Sequence, residues 1–261
     1  MGEIITDRSQ SILRVELNRP AKKNAMTSRM YVMLADIFNE AAKDDGTSVV
    51  LWHGAGDSFC AGNDIEDFLQ NPPGPEESPQ FKLENALADF DRPLIAAVQG
   101  AAIGGGTTML THCDFVYAGE SAKFQMPFIN LGLVPEFGSS LSIPARIGHL
   151  RAAELILLAL PFDAKRAADL GLVTQVVPDQ KLLATASETA KKLAAKPAGA
   201  LRASKRLMKR PLLEQIKSAI KTENEEFSAQ VRSEDAKEAL RAFLEKRPPH
   251  FAGAIKSSAV A

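Results

Sequence analysis

The residues best placed to do chemistry lie in two glycine-bearing turns. The first, 54–65, reads Gly-Ala-Gly-Asp-Ser-Phe-Cys-Ala-Gly-Asn-Asp-Ile and follows the apolar run Val49-Val50-Leu51-Trp52. The second, 100–106, reads Gly-Ala-Ala-Ile-Gly-Gly-Gly, follows Leu94–Val98 and is expected to open a helix. Glycines directly after a buried strand leave backbone N–H groups uncovered, and donors of that kind can bind an oxyanion. A single glycine cluster is usually only a tight turn, so the weight falls on the order and spacing of the pair.

Other chemistries find no support. The chain has no G-x-x-x-x-G-K-[ST] loop, and Gly104-Gly105-Gly106 lacks the G-x-G-x-x-G spacing, so kinase and dehydrogenase readings fall. It has no G-x-S-x-G elbow, and His53, His112, His149 and His250 are scattered without H-E-x-x-H or C-x-x-C partners, so neither a serine hydrolase nor a metal site is expected. Cys60 reads as a small core thiol, and His112 and His149 as structural histidines.

Short apolar runs must position the turns. Leu13, Val15 and Leu17 alternate with Arg14 and Glu16 as a half-buried strand does, whereas Val49–Trp52, Leu94–Val98 and Phe115-Val116-Tyr117 read as buried on both faces. Between them lie helices: 28–43 behind a Thr27/Ser28 cap, 149–159, and 164–170, which stops at Gly171 before a strand Leu172–Val177. The alternation predicts an α/β core over 1–195. From 196 to 261 every stretch reads helical: 198–209, 212–231 and 234–246, the last capped by Ser233 and closed by Lys246-Arg247. Such a segment cannot enclose a core of its own and is expected to pack on the main domain or on another subunit. Asn71-Pro72-Pro73-Gly74-Pro75 reads as a surface loop.

Composition narrows the class. With 261 residues, 45% hydrophobic and 24% charged, the chain can bury a sizeable core and reads as a soluble, folded protein. Lys+Arg total 31 against 32 Asp+Glu, a net charge of −1, which leaves no field to hold a nucleic acid. Cys60 and Cys113 permit one disulfide at most, which favours a reducing compartment. No apolar stretch reaches the ~20 residues of a membrane span, so no membrane partner is expected. The N-terminus lacks a secretory pattern, and the terminal Ser-Ala-Val-Ala is not an organelle address. A cytoplasmic location is the expectation.

Several further pieces occur in one order along nearly the whole chain: Asn18-Arg19-Pro20 through Asn24-Ala25-Met26, Phe59–Ile65, Arg92–Val98 with the triple-glycine turn, Cys113-Asp114, Leu131–Glu136 and Ala242–Arg247. This ordered set resembles the crotonase (enoyl-CoA hydratase/isomerase) superfamily. The resemblance implies a spiral of β-β-α turns, a helical C-terminal segment that builds a homotrimer or a dimer of trimers, and an acyl-CoA substrate. Coenzyme A would be part of that substrate, with no separate cofactor.

The same resemblance assigns site residues. The backbone N–H groups of Asn63 and Gly105 would hold the thioester oxygen, where proton removal from the adjacent carbon places negative charge. Ala61, Asp64 and Ile65 would lie beside the coenzyme, Lys22 or Lys23 near its phosphates, and Phe243 and Lys246 of the last helix, from the same or a neighbouring subunit, at the same site. Hydratases of this type carry two glutamates, at positions filled here by Thr108 and Phe128, which with Leu131 would instead line the substrate site. Neither can activate water or protonate carbon near neutral pH. Glu136 matches the single glutamate of peroxisomal-type Δ3,Δ2-enoyl-CoA isomerases. Flanked by Phe128, Leu131, Val134 and Phe137, it reads as a desolvated base, although an acid in the first turn of a helix would also stand there without chemistry. Asp64, Glu66 and Asp67 fit a solvated helix start outside the catalytic set, and Asp114 a structural hydrogen-bonding role. The sequence therefore points to an enolate-forming acyl-CoA enzyme that shifts a double bond from C3 to C2. The alternatives are an atypical hydratase, an enzyme of ring-bearing CoA esters, and a catalytically silent acyl-CoA binder.

Overall fold

The computed structural model describes residues 2–72, 74 and 78–251. The chain opens with a hairpin, β1 (Ile4–Ser9) and β2 (Ile12–Leu17), whose two turn residues, Gln10 and Ser11, both take positive φ, +53° and +60°. That turn matches the right-handed twist of the strands it joins. Helix α1 (Ser28–Lys43) follows, with Thr27 Oγ1 accepting from Met30 N as the predicted cap. Next come β3 (Val49–Gly54), α2 (Ile65–Gln70), α3 (Pro79–Asp89), β4 (Leu94–Val98), β5 (Ala101–Ile103), α4 (Gly105–Thr108), β6 (Phe115–Gly119) and β7 (Lys123–Gln125). The remainder comprises α5 (Ser139–Ile147), α6 (His149–Leu157), β8 (Phe162–Asp163), α7 (Ala164–Asp169), β9 (Gln175–Val177), α8 (Leu182–Ala194), α9 (Ala198–Lys209), α10 (Leu213–Gln230) and α11 (Glu234–Leu244).

Six strands form one sheet in the order β1-β2-β3-β4-β6-β9, parallel from β2 onward. Its central strands are buried on both faces, as their unbroken apolar runs predicted. Val50, Trp52, Ala96 and Val98 face the main core with α1, where Phe38 meets Trp52 edge to face at 5.3 Å. Val49, Leu51, Ile95 and Ala97 face the other way and are covered by Leu182, Ala186 and Ala190 of α8. The sequence reading did not foresee α8, whose buried stripe beyond Leu182 consists of the small residues Ala186 and Ala190.

A second sheet pairs β5-β7-β8, and isolated parallel bridges Met26↔Asn63 and Cys60↔Ala102 extend it. The stretch 100–106 is therefore not one turn that opens a helix. Its middle, Ala101–Ile103, is a strand of this second sheet, and only Gly104 caps α4. Three residues are too few to show a period of two. The strand expected over Leu172–Val177 is confined to Gln175–Val177. Helix α11 ends at Leu244, and Lys246 lies beyond it at φ +53° rather than in its last turn. Of the loop expected at 71–75, Asn71 and Pro72 are exposed, while Pro73 and Pro75 lie outside the described residues.

The C-terminal helices fold back on the same chain: α10 lies against α3 and α5, and α9 is latched by charge. Lys205 Nζ, 5% exposed, donates to Asp114 Oδ2 at 2.7 Å and to the Arg92 carbonyl at 2.8 Å, while Asp114 Oδ2 also accepts from Leu94 N at 2.7 Å. Asp114 is thus structural, as expected. Asp114→Ala would leave a buried ammonium without its counter-charge, and urea denaturation is expected to show a loss of about 3 kcal/mol. A loss under about 1 kcal/mol would place this pair with ordinary surface ion pairs. Among the described residues no helix is long and apolar enough to cross a membrane.

Candidate active site

The second sheet brings the two glycine turns together. Cys60 N donates to the Ala101 carbonyl at 2.9 Å and Ile103 N returns to the Cys60 carbonyl at 2.9 Å, so 60–63 runs alongside β5. Met26 N donates to the Gly62 carbonyl at 2.8 Å, and Asp64 N to the Met26 carbonyl at 2.9 Å, which fixes both sides of Asn63. Gly62 has φ +89°, and a Cβ there would lie 2.9 Å from the Ile103 carbonyl oxygen, so only glycine lets the strands approach this closely. On the facing segment, Gly104 N donates to the Gln125 carbonyl at 2.9 Å. Among the described residues, neither the Asn63 nor the Gly105 N–H has a protein acceptor. Helix α4 is four residues long, so the donor at Gly105 is the N–H itself more than a macrodipole.

Both groups line a cavity of about 360 Å³ whose wall is largely apolar. Ala61 and Ile65 come from the first turn, Phe128, Leu131 and Leu133 from the segment after β7, and Phe227, Leu240 and Phe243 from α10 and α11. Glu136 is the one carboxylate in that wall among the described residues. It is 3% exposed, and its Oε1 has no hydrogen-bond partner. Burial pushes its carboxyl well above the usual range, with further push from Glu84 and Glu223. It precedes the Gly138 cap of α5 by two residues, so its position is not that of an acid in the first turn of a helix.

Gly105 is required for a second reason. A Cβ at this position would stand 2.8 Å from Glu136 Oε1 and 3.3 Å from the Tyr31 hydroxyl. The carboxylate therefore rests directly against the backbone that offers one of the two N–H donors. The Tyr31 hydroxyl donates to Asn63 Oδ1 at 2.7 Å and so steadies the other. Tyr31 was missed from sequence, yet there was a signal: a tyrosine on the buried face of α1 needs a polar partner inside.

Of the residues assigned by resemblance, Ala61, Asn63, Ile65, Gly105, Phe128, Leu131, Glu136 and Phe243 share the cavity wall. Four others stand outside it. The Asp64 carboxylate caps α2 through Glu66 N and Asp67 N and pairs with Arg19 at 2.9 Å. Lys22 is exposed and lies 3.5 Å from Glu66. Thr108 is fully buried, with its hydroxyl donating to the Gly104 carbonyl at 3.3 Å. Lys246 is exposed beyond the end of α11. Arg247, given no site role from sequence, reaches the wall instead while paired with Glu238 and Glu245.

Known proteins carry the same architecture. The enoyl-CoA hydratase/isomerase family model matches residues 7–254. A 1,2-epoxyphenylacetyl-CoA isomerase of Escherichia coli (strain K12) is 34% identical over 260 residues, covering 97% of this chain and 99% of its own length. A 2,3-dehydroadipyl-CoA hydratase of the same organism is 33% identical over 256 residues, covering 97% and 100%. The crystal structure of an enoyl-CoA hydratase/isomerase from Pseudoalteromonas atlantica T6c superposes with a TM-score of 0.91 at 38% identity, over 96% of this chain and all of that one. An isomerase and a hydratase thus stand at nearly equal distance, and overall identity does not choose between their reactions. The fold is the crotonase spiral, and with the match running from the first hairpin past the last helix, the chain belongs to the enoyl-CoA hydratase/isomerase family.

Proposed function

We propose that the protein is a Δ3,Δ2-enoyl-CoA isomerase. The observation that carries this reading is the single carboxylate in the cavity wall among the described residues, beside two free backbone donors. Allylic isomerisation needs one base, whereas hydration needs a group to activate water and usually a second to protonate carbon. The thioester oxygen of a 3-enoyl-CoA accepts from Asn63 N–H and Gly105 N–H. The Glu136 carboxylate then takes a C2 proton, the C–H electron pair enters the conjugated system, and charge gathers on the thioester oxygen. Returning the same proton to C4 moves the double bond to C2=C3 and restores the carboxylate. No water, electron carrier or metal is consumed, and coenzyme A enters only as part of the substrate.

Phe68, Phe128, Leu133 and Phe227 make the wall suited to an apolar acyl chain. As part of the same proposal, the enzyme works in the cytoplasm as a homotrimer or dimer of trimers. Leu150, Leu157, Leu158 and Leu160 are each more than half exposed and offer apolar surface of the kind that subunit contacts cover.

The test offers 3-enoyl-CoA and 2-enoyl-CoA to the protein side by side. Turnover of the first is expected, with part of an isotopic label moving from C2 to C4 in a single turnover. Rapid water addition to 2-enoyl-CoA with 3-enoyl-CoA untouched would make the protein a hydratase, and no turnover of either would favour a binding protein.

A further inference from the structure

Glu136 leads into a backbone that would not hold its shape unaided. Phe137 has φ +63° although it is not glycine, and Gly138 follows at +67°. A left-handed residue with a bulky side chain is strained and persists only where its surroundings over-determine it. Here they do. Glu84 Oε1, from α3, accepts from Phe137 N at 3.0 Å. Glu223, from α10, accepts from Gly138 N at 2.6 Å and from Ser140 N at 2.7 Å. The Phe137 carbonyl accepts from His112 Nε2 at 2.9 Å, and Asn224 Nδ2 braces the second oxygen of Glu84. Neither Glu84 nor Glu223 lines the cavity.

We infer that Glu84 and Glu223 are positioning residues for the reaction: from two helices they clamp the peptide units that follow Glu136 and aim its carboxylate at the substrate. The inference rests on the reading of Glu136 as the base. Its companion effect is electrostatic. The groups that face Glu136 are Tyr31 on α1, Cys60 beside β5, Glu84 on α3 and Glu223 on α10, with His112 on the adjoining turn. Burial pushes the Tyr31 hydroxyl up, the Cys60 thiol up to about 12 and the His112 imidazole down to about 3, so all three are neutral near pH 7. When ionised, the two clamp carboxylates are therefore the charges that Glu136 feels.

Structure alone does not explain that choice. Burial raises Glu84 and Glu223 from 4.5 to about 7 each. A carboxyl raised in the folded state favours folding most below its unfolded pKa, and that contribution is lost as pH rises from about 4.5 through about 7. The clamp thus lowers stability at neutral pH, where neutral amides would avoid the loss. What the charges supply is a strong hold on backbone donors, together with a field that makes Glu136 more basic.

The experiment compares the wild type with Glu84→Gln and Glu223→Gln in 3-enoyl-CoA isomerisation across pH. It adds infrared difference spectra against Glu136→Gln to follow the Glu136 carboxyl band directly. In the wild type that band is expected to titrate well above the ordinary carboxylate range. Each clamp variant is expected to lose at least about tenfold in kcat with KM within about threefold. Each is also expected to move the acid limb of kcat/KM, and the band midpoint, down by about one pH unit. A merely structural role would move neither midpoint. If a clamp variant does not fold, a wild-type Glu136 band near pH 4.5 still overturns the inference. Retained turnover in Glu136→Gln overturns the base reading itself. Lost turnover there, with kcat, acid limb and band all unmoved in both clamp variants, overturns this inference alone.

Discussion

Glu136→Gln is expected to lower double-bond isomerisation by about 10²–10⁴-fold, the usual weight of one general base, while acyl-CoA affinity stays within about threefold. The amide keeps the volume of the carboxylate against Gly105, so the cavity wall is preserved, but it cannot accept the C2 proton. Steady-state kcat and KM with 3-enoyl-CoA, beside calorimetric binding of a saturated acyl-CoA, separate chemistry from recognition. The same substitution is expected to raise stability at neutral pH. Ionisation of a carboxyl whose folded pKa lies above its unfolded value opposes folding as pH climbs through that window, and glutamine has no such ionisation. Turnover within tenfold of wild type, in a variant that folds and binds, would remove Glu136 from the mechanism.

Gly105→Pro is expected to be the most damaging change at the oxyanion site, and Gly105→Ala is the control that gives it meaning. Any Cβ at 105 presses on Glu136 Oε1, 2.8 Å away, and on the Tyr31 hydroxyl at 3.3 Å, so both variants displace the base. Only proline also deletes the N–H. Loss of one preorganised donor costs about 10²–10³ in rate, and the proline variant should fall below the alanine variant by about that factor. Asn63→Ala keeps its backbone N–H and loses only the side-chain bond from Tyr31, so its activity should stay within about tenfold of wild type. Circular dichroism and a cooperative melt verify folding in each case. If Pro and Ala were equally impaired, or if Asn63→Ala fell as far as Gly105→Pro, backbone donation would not be the source of the rate.

Much of the scaffold was legible because it is encoded locally. Strands β2, β3, β4 and β6 follow their apolar runs, α1 begins behind Thr27 and α11 behind Ser233, and α7 stops before Gly171 at φ +76°. Each depends on residues within a turn or two of itself, where periodicity and capping operate. Helix α3 was harder to read: Ser78 caps it and Pro79 starts it, yet Gln80 and Glu84 are buried and interrupt its apolar stripe. Glu84 is there to hold Phe137 N, 53 positions away, and no local pattern records such a demand.

By itself, the sequence determined the strands and helices that carry a local period or cap, such as β2, β3, β4, β6, α1 and α11, and, through its ordered motifs, that Asn63, Gly105 and Glu136 are the residues to watch. Tertiary structure alone decided that they meet. The Cys60↔Ala102 bridge lays the first glycine turn beside the second, and the left-handed step at Phe137 and Gly138 brings Glu136 against Gly105. It also turned Lys22, Asp64, Thr108 and Lys246 away from the cavity and supplied the missing cap of α5 from Glu223, 83 residues distant from Ser140. The physical reason is range. A side chain's preference for water or apolar surroundings is expressed at every position and repeats with the period of its element. The partner of a buried N–H or carboxylate is chosen only when the whole chain closes around it.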